Sequence, residues 1–323
     1  MKIFALTNGD VSCASTLYRL LQFRPLMERD GVAFDYAQAA AFTDFERLHD
    51  ADVVVIQKHL LPADRIARIR EHSRRLVYDI DDTIWHSPGT QPHGWMMRQR
   101  KLQELRTLAQ SADLCIAANH VIAHDLDEAG AHRIRILPMA LDPEEWHRRE
   151  HACAKLVVGW TGSPGNLRYL RAILPDLVEA QSRWPEIHFR IHSGQFPDLP
   201  GLDFEYLPFI QAGEPLAVSQ FDIGLLPLPQ EPFARGKSPI KTLQYFACGV
   251  AVAGIPVGAT GEIMVDEVNS LYVDAGRDWL TALETLIEDD PLRREIAAAG
   301  LAQFTRHHTT EHIWPRFREL LAG

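Results

Sequence analysis

Two short stretches carry the residue types that chemistry needs. The first is RGKSPIKTLQYFACGVAVAGIPVGATGE, residues 235–262, where Arg235, Lys237 and Lys241 fall close together. Ser238 followed by Pro239 is a capping and first-turn pair, and Gly249 is placed to stop the chain, so a helix over about 239–248 is expected. On it Lys241 and Gln244 are three apart and share a face, with Lys237 one turn before, while Leu243, Phe246 and Ala247 turn towards a sheet. Cations beside the free N–H groups of a helix start would hold a diphosphate. The same pattern also suits an amphipathic helix whose lysines are simply solvated.

The second stretch is VYDIDDTIW, residues 77–85, in which Asp79, Asp81 and Asp82 crowd three carboxylates together. Such groups are costly to bury ionised, so they must face a polar site, a cation or solvent. One of them could accept a hydrogen bond from a reacting hydroxyl or stabilise developing positive charge. The plainer alternative is that they cap the following segment and pair with Arg74 or Arg75. Asn8, Gly9, Asp10 and Ser12 form a third polar set after the first apolar run, and Arg19 on the next helix could reach the same region. An ordinary strand-to-helix turn would look alike. The 15 histidines show no ligand spacing, and His120 and His124, four apart, have no third ligand in sight, so no metal site is expected. WMMRQRKLQELRTLAQ, residues 95–110, is a basic helix with apolar flanks, fit to touch anionic lipid or to present a solvated face.

These residues sit at the ends of short apolar runs. In the first half KIFALT (2–7), DVVVIQ (52–57), RLVYDI (75–80) and LCIAAN (114–119) read as strands, and the intervals between them are long enough for helices. That rhythm is the mark of a parallel sheet with crossover helices, and ligands then lie at the carboxyl ends of strands, after residues 7, 57, 80 and 119. From about residue 137 the pattern breaks in LPMALDPEEWHRREHACA, read as a linker. A second series follows: KLVVGWTGS (155–163), a helix over about 166–182, HFRIHSG (188–194), DFEYLPF (203–209), FDIGLLPL (221–228), VAVAGI (250–255), LYVD (271–274) and two or three terminal helices. The expectation is an α/β protein of two Rossmann-like domains facing across a cleft, residues 1–150 and 151–323, with the terminal helices in the second.

Length agrees, since 323 residues exceed the roughly 250–300 at which one core stops growing. Hydrophobic residues at 46% and charged residues at 24% exclude disorder and coiled coil. A net charge of −10 disfavours nucleic acid as a partner, and the acidity lies mostly in residues 151–323, so an anion site there must be built locally. Four scattered cysteines, an opening MKIFALTNGD without a leader core, and no run of about 18 apolar residues point to a cytoplasmic protein.

The run KTLQYFACGVAVAGIPVGATGEIMVDEVNSLYV resembles the nucleotide-sugar-binding segment of retaining glycosyltransferases of family 4 with the GT-B fold. FDIGLLPLP, ILPMALDPEEW and VGWTGSPGN resemble that family at matching intervals. The resemblance implies a donor held on the second domain and an acceptor on the first, retention at the anomeric carbon, and no metal or other cofactor, the nucleotide-diphosphate sugar being a co-substrate. Gln244 takes the place of the family glutamate that holds the donor ribose, and the other family glutamate falls at Gly236. The family's basic pair after the first strand of the second domain is replaced by Gly162-Ser163-Pro164-Gly165-Asn166, which leaves Lys237 and Lys241 as the substitutes, with Ser163 and the backbone of Gly162 near the phosphates. Thr260, Gly261 and Glu262 match a loop beside the nucleotide, and base contacts are expected around Phe209 to Gln211. Asp81 falls on a family histidine near the reacting sugar, with Asp82 just after it, and Asn8, Gly9, Asp10 and Arg19 belong to the acceptor side. Saccharides, lipid-linked saccharides and small metabolites all stay open as acceptors.

Asp-Ile-Asp-Asp-Thr after an apolar strand also resembles the motif of haloacid-dehalogenase-type phosphatases, with Asp79 as nucleophile, Asp81 as acid/base and Mg²⁺ as cofactor. A third class, a non-catalytic protein that binds sugar nucleotides, is motivated by the replacement of both glutamates at Gly236 and Gln244.

Overall fold

The structure is a computed structural model that describes residues 1–86, 94–149, 153 and 155–323. Two compact units make it up. The first is Met1–Ala140 with Glu231–Ser238 and Thr310–Gly323, and the second is Leu141–Gln230 with Pro239–Thr309. The boundary expected at 150/151 falls outside the described residues.

The first unit holds β1 (Lys2–Thr7), β2 (Ala33–Gln38), β3 (Val53–Gln57), β4 (Leu76–Ile80), β5 (Leu114–Ala117) and β6 (Ile134–Ile136), all parallel, in the order β2-β1-β3-β4-β5-β6. β3, β4 and β5 are buried along their whole length, as strands covered by helices on both faces must be. The chain reverses its direction of travel between β1 and β3, and loops at such a switch point open a crevice at the carboxyl edge. Gln57 pairs with Asp79, so β4 runs one residue past the end of β3.

The second unit holds β7 (Leu156–Gly162), β8 (Ile187–Ser193), β9 (Phe204–Pro208), β10 (Ile223–Leu226), β11 (Ala251–Gly254) and β12 (Leu271–Tyr272), again parallel, in the order β12-β11-β10-β7-β8-β9. Its switch point lies between β7 and β10. Both sheets are doubly wound, which bears out the α/β expectation.

Several expectations need correction. The last helix, Thr310–Ala322, belongs to the first unit, where Ile313, Trp314, Phe317 and Leu321 pack with Val55, Val77 and Ile116 and the Trp314 indole donates to Asp30 at 2.9 Å. The helix expected over 166–182 is two helices, Leu167–Ala172 and Leu174–Arg183, parted where Pro175 lacks the N–H that would continue the ladder. The stretch read as a linker does hold the boundary, between Ala140 and Leu141, but its Leu137, Met139, Ala140, Leu141 and Trp146 are buried rather than loose. No helix among the described residues is long and apolar enough to cross a membrane, and the four cysteines are unpaired thiols.

Candidate functional site

The carboxyl ends of β3 and β4 deliver a buried charge cluster in the first unit. Lys58 directly follows β3 with φ at +61°, a left-handed conformation that a lysine adopts only when its surroundings hold it there. Its N–H donates to the carbonyl of Asp79 at 2.7 Å, which fixes that turn. The side chain reaches Ser15 Oγ at 2.6 Å, Asp82 Oδ2 at 2.5 Å and Asp81 Oδ1 at 3.4 Å. Burial lowers the Lys58 pKa, but Asp81 and Asp82 outweigh it and hold the amine charged far above its ordinary range. The two carboxyls are driven apart. Burial raises Asp81, and the neighbouring Asp82 adds to this against Lys58; Asp82 is also buried, yet Lys58 and the Ser238 N–H, which donates to it at 3.0 Å, bring it below the usual carboxylate range. Carboxyls separated in this way suit different tasks, one able to take up a proton and one fixed as an anion.

Segment 231–238 is locked onto this cluster. Besides the Ser238 contact, the Asn119 amide donates to the carbonyl of Gly236 at 3.4 Å while its oxygen caps the helix His120–Glu128. A Cβ on Gly236 would lie 2.0 Å from Thr83 Cγ2, so no glutamate fits there. Lys237 lies in this segment, and Arg235 is exposed at the end of the helix Pro232–Arg235.

Asp79 stands apart from Asp81 and Asp82. It is 0% exposed and forms a two-pronged ion pair with Arg19, itself 3% exposed, whose guanidinium also donates to the carbonyl of Leu137 at 2.9 Å. Arg19 therefore ties helix, strand and chain together rather than reaching out to a ligand. Asp79 is sealed from any substrate, and the phosphatase reading loses its nucleophile. Arg74 and Arg75 go elsewhere, to Asp52 at 3.9 Å and to the carbonyl of Leu320 at 3.1 Å. In the loop after β1, Asn8 is exposed with its Oδ1 3.3 Å from His59 Nδ1, and Gly9 leaves no room for a Cβ against Cys13. Asp10 accepts from the Ser12 N–H at 2.9 Å and hydroxyl at 2.6 Å, bonds that hold its carboxyl below the usual range.

The second unit builds another cluster at the carboxyl edge of its sheet. Thr161 near the end of β7 and His192 near the end of β8 face each other at 3.0 Å. Glu214, which opens the helix Glu214–Val218 after β9, accepts from Lys241 at 2.5 Å, from Gln244 at 3.2 Å and from Thr161 at 3.4 Å. Burial lowers the His192 pKa, and although Glu214 opposes this the ring stays neutral at neutral pH. Sequence reasoning missed Glu214, Thr161 and His192. Glu214 carries no motif, but it puts a carboxylate beside Gln244, where the absence of one had motivated the non-catalytic reading.

The helix carrying Lys241 and Gln244 spans Ile240–Ala247, shorter than expected. Pro239 occupies the cap position and the Ser238 side chain does not cap it. Gln244 is buried rather than on a solvated face, and Gly249 stops the helix with φ at +61°. Gly162 is small because Trp160 would meet its Cβ at 2.5 Å, while Ser163 is exposed and Asn166 half-buried in the next turn. Phe209 is partly exposed with its ring 5.1 Å from that of His192, and a cavity of about 410 Å³ lies beside it, lined by Arg190, His192, Glu205, Ile210 and Leu216. Thr260 is buried at the start of the helix Ala259–Ile263, Gly261 packs closely on Pro256, and Glu262 is exposed. Outside both clusters, the helix Trp95–Ser111 leaves Trp95, Met96 and Met97 exposed.

Residues 171–321 match the family model described as glycosyl transferase-like. Among solved structures, Anabaena HepE in complex with UDP and glucose aligns over 100% of this chain and 99% of its own at 16% identity, TM-score 0.71. Sucrose-phosphate synthase from Thermosynechococcus elongatus aligns over 99% and 98% at 14% identity, TM-score 0.73. TarM of S. aureus aligns over 84% of this chain and 55% of its own at 9% identity, TM-score 0.63. No curated protein sequence matches the chain. The fold is GT-B.

Proposed function

We propose that this GT-B glycosyltransferase is of the family 4 type and moves a sugar from a nucleotide-diphosphate donor to an acceptor hydroxyl, with retention and without a metal ion. The observation that carries the reading is the Lys241–Glu214–Gln244 cluster at the carboxyl edge of the second sheet, the edge where doubly wound sheets bind ligands. Lys241 is the partly exposed member and neutralises the departing diphosphate, helped by Lys237 and Arg235, so the charge that Mg²⁺ carries elsewhere is supplied by side chains. Gln244, itself buried, donates to Glu214 and orients that carboxylate towards the ribose hydroxyls. Gly162, Ser163 and Asn166 approach the phosphates, Phe209 borders the base, and Thr260, Gly261 and Glu262 flank the nucleotide. HepE is described in complexes with UDP and with UDP-glucose, which makes UDP-sugars the first donors to test.

On the acceptor side Asp81 accepts the hydrogen bond of the attacking hydroxyl, and Asp82, kept anionic by Lys58 and the Ser238 N–H, stabilises positive charge as the glycosidic bond breaks. Asn8, Gly9 and Asp10 border the acceptor. The decisive experiment is transfer from a panel of UDP-, GDP-, dTDP- and ADP-sugars with EDTA present, with the product's anomeric configuration read by NMR. Transfer with retention in EDTA supports the reading, and dependence on Mg²⁺ or an inverted product overturns it.

A further inference from the structure

We propose that Glu46, His49 and His72 in the first unit form a binding site for one divalent transition-metal ion of the zinc class. The ligand atoms of these three side chains all lie within 4.8 Å of one another, Glu46 Oε1 being 3.4 Å from His72 Nε2 and Glu46 Oε2 being 3.7 Å from His49 Nε2. Around a tetrahedral ion with bonds of about 2.0–2.1 Å, donor atoms stand about 3.3 Å apart. Each imidazole thus lies near that spacing from one or the other Glu46 oxygen, and one donor atom from each of the three residues falls within 4.8 Å.

Local structure explains the convergence. Glu46 and His49 lie on the 3₁₀ segment Phe45–Asp50, and in a 3₁₀ helix residues three apart eclipse each other, which stacks the two side chains on one face. His72 is the last residue of the helix Ala63–His72 and brings its ring 4.8 Å from that of His49. The His72 Nδ1 lies 2.8 Å from the carbonyl of Arg68, a partner that accepts only, so Nδ1 carries a proton there and Nε2 is the nitrogen that faces Glu46. Metal-bound histidines are usually oriented by such an outer hydrogen bond. Phe45 backs the His72 ring at 6.1 Å, and the Arg68 guanidinium lies over Phe45 at 4.1 Å, so the ring is also held by packing.

Two imidazoles and one carboxylate form a set of mixed nitrogen and oxygen donors that favours zinc, cobalt, nickel or copper over magnesium or calcium. Glu46 is exposed, so water completes the coordination. The ion would clamp the 3₁₀ segment that precedes β3 to the end of the helix that precedes β4. It shares no residue with the Lys58 cluster, and its role is to stabilise the folded unit, not to assist transfer.

The test uses the full, untagged chain stripped of metal. Titration with Co²⁺ is expected to give one equivalent of visible d–d absorption that Zn²⁺ displaces, and zinc at about one hundred times its Kd raises Tm by about 5 °C. His49→Gln, at an exposed position, and His72→Ala each weaken uptake at least tenfold and abolish the Tm rise, while His120→Ala changes neither. Transfer rates with EDTA stay at the wild-type level in His49→Gln. Absent Co²⁺ absorption in the wild-type chain, or uptake and Tm rise unchanged in His49→Gln, overturns the proposal.

Discussion

Each unit sets a lysine against carboxylate oxygens at the carboxyl edge of its sheet, but the two balance charge differently. Lys58 meets two carboxyls, Asp81 and Asp82, one raised and one lowered, and all three are largely buried. Lys241 meets one carboxylate, Glu214, and a neutral amide, Gln244. A diphosphate beside the first set would meet two carboxyls already engaged by Lys58, whereas the second set offers a partly exposed lysine with one carboxylate and a neutral amide. A surplus of acceptor oxygens, in turn, suits hydroxyl donors. The contrast ties the proposed donor and acceptor roles to electrostatics, independently of any resemblance.

Turnover is the most sensitive test of this contrast. Lys241→Ala is expected to lower kcat/KM about 10²-fold or more with modest loss of stability, the scale of one lost transition-state donor, and Lys237→Ala by a similar factor. Near-normal rates in both variants remove the donor assignment. Lys58→Met reads out in stability instead: leaving two buried carboxylates without their cation costs about 3–5 kcal/mol in urea unfolding. If Lys241→Met costs as much, the two clusters are not different in kind.

Gly236→Ala drives a methyl into Thr83 and is expected to cost about 1–3 kcal/mol, recovered in part by Thr83→Ser. Full stability in the single variant would mean that segment 231–238 is not locked at Thr83. The smallest effects distinguish the two aspartates by pH. Asp82 has a lowered carboxyl, so its stabilisation is present above the unfolded-state pKa and is lost as pH falls through the folded one. Asp81 has a raised carboxyl, so its ionisation opposes folding increasingly as pH rises above the unfolded-state value. Asp82→Asn should therefore destabilise near neutral pH and Asp81→Asn should not. Equal losses in both variants would erase the division between them.

Much of this architecture was legible because apolar runs punctuated by polar residues are the simplest pattern a chain can show. KIFALT is β1 without a residue's difference, and the loop after residue 57, expected at a ligand-bearing strand end, is where Lys58 lies. β2 was missed because an edge strand, AFDYAQ, alternates and is half exposed, and β6 because three residues carry no period. Arg19 and Asp79 were misjudged for one reason: composition marks them as charged, and only the fold reveals that each is the other's buried partner. Glu214 approaches Lys241 and Gln244 from across the second unit, a proximity that no local spacing encodes. Glu46 and His49 were passed over because spacing was weighed against α-helical ligand pairs and not against the three-residue turn they occupy.

The assignment of Thr310–Gly323 to the first unit bears on how the protein is made. A ribosome releases β1 through β6 long before Trp314 and Phe317 exist, so the face of the amino-terminal core that these residues cover lacks those packing partners until then. Only when these residues emerge can that face close. A premature stop within the last helix would therefore damage the half of the molecule that was synthesised first.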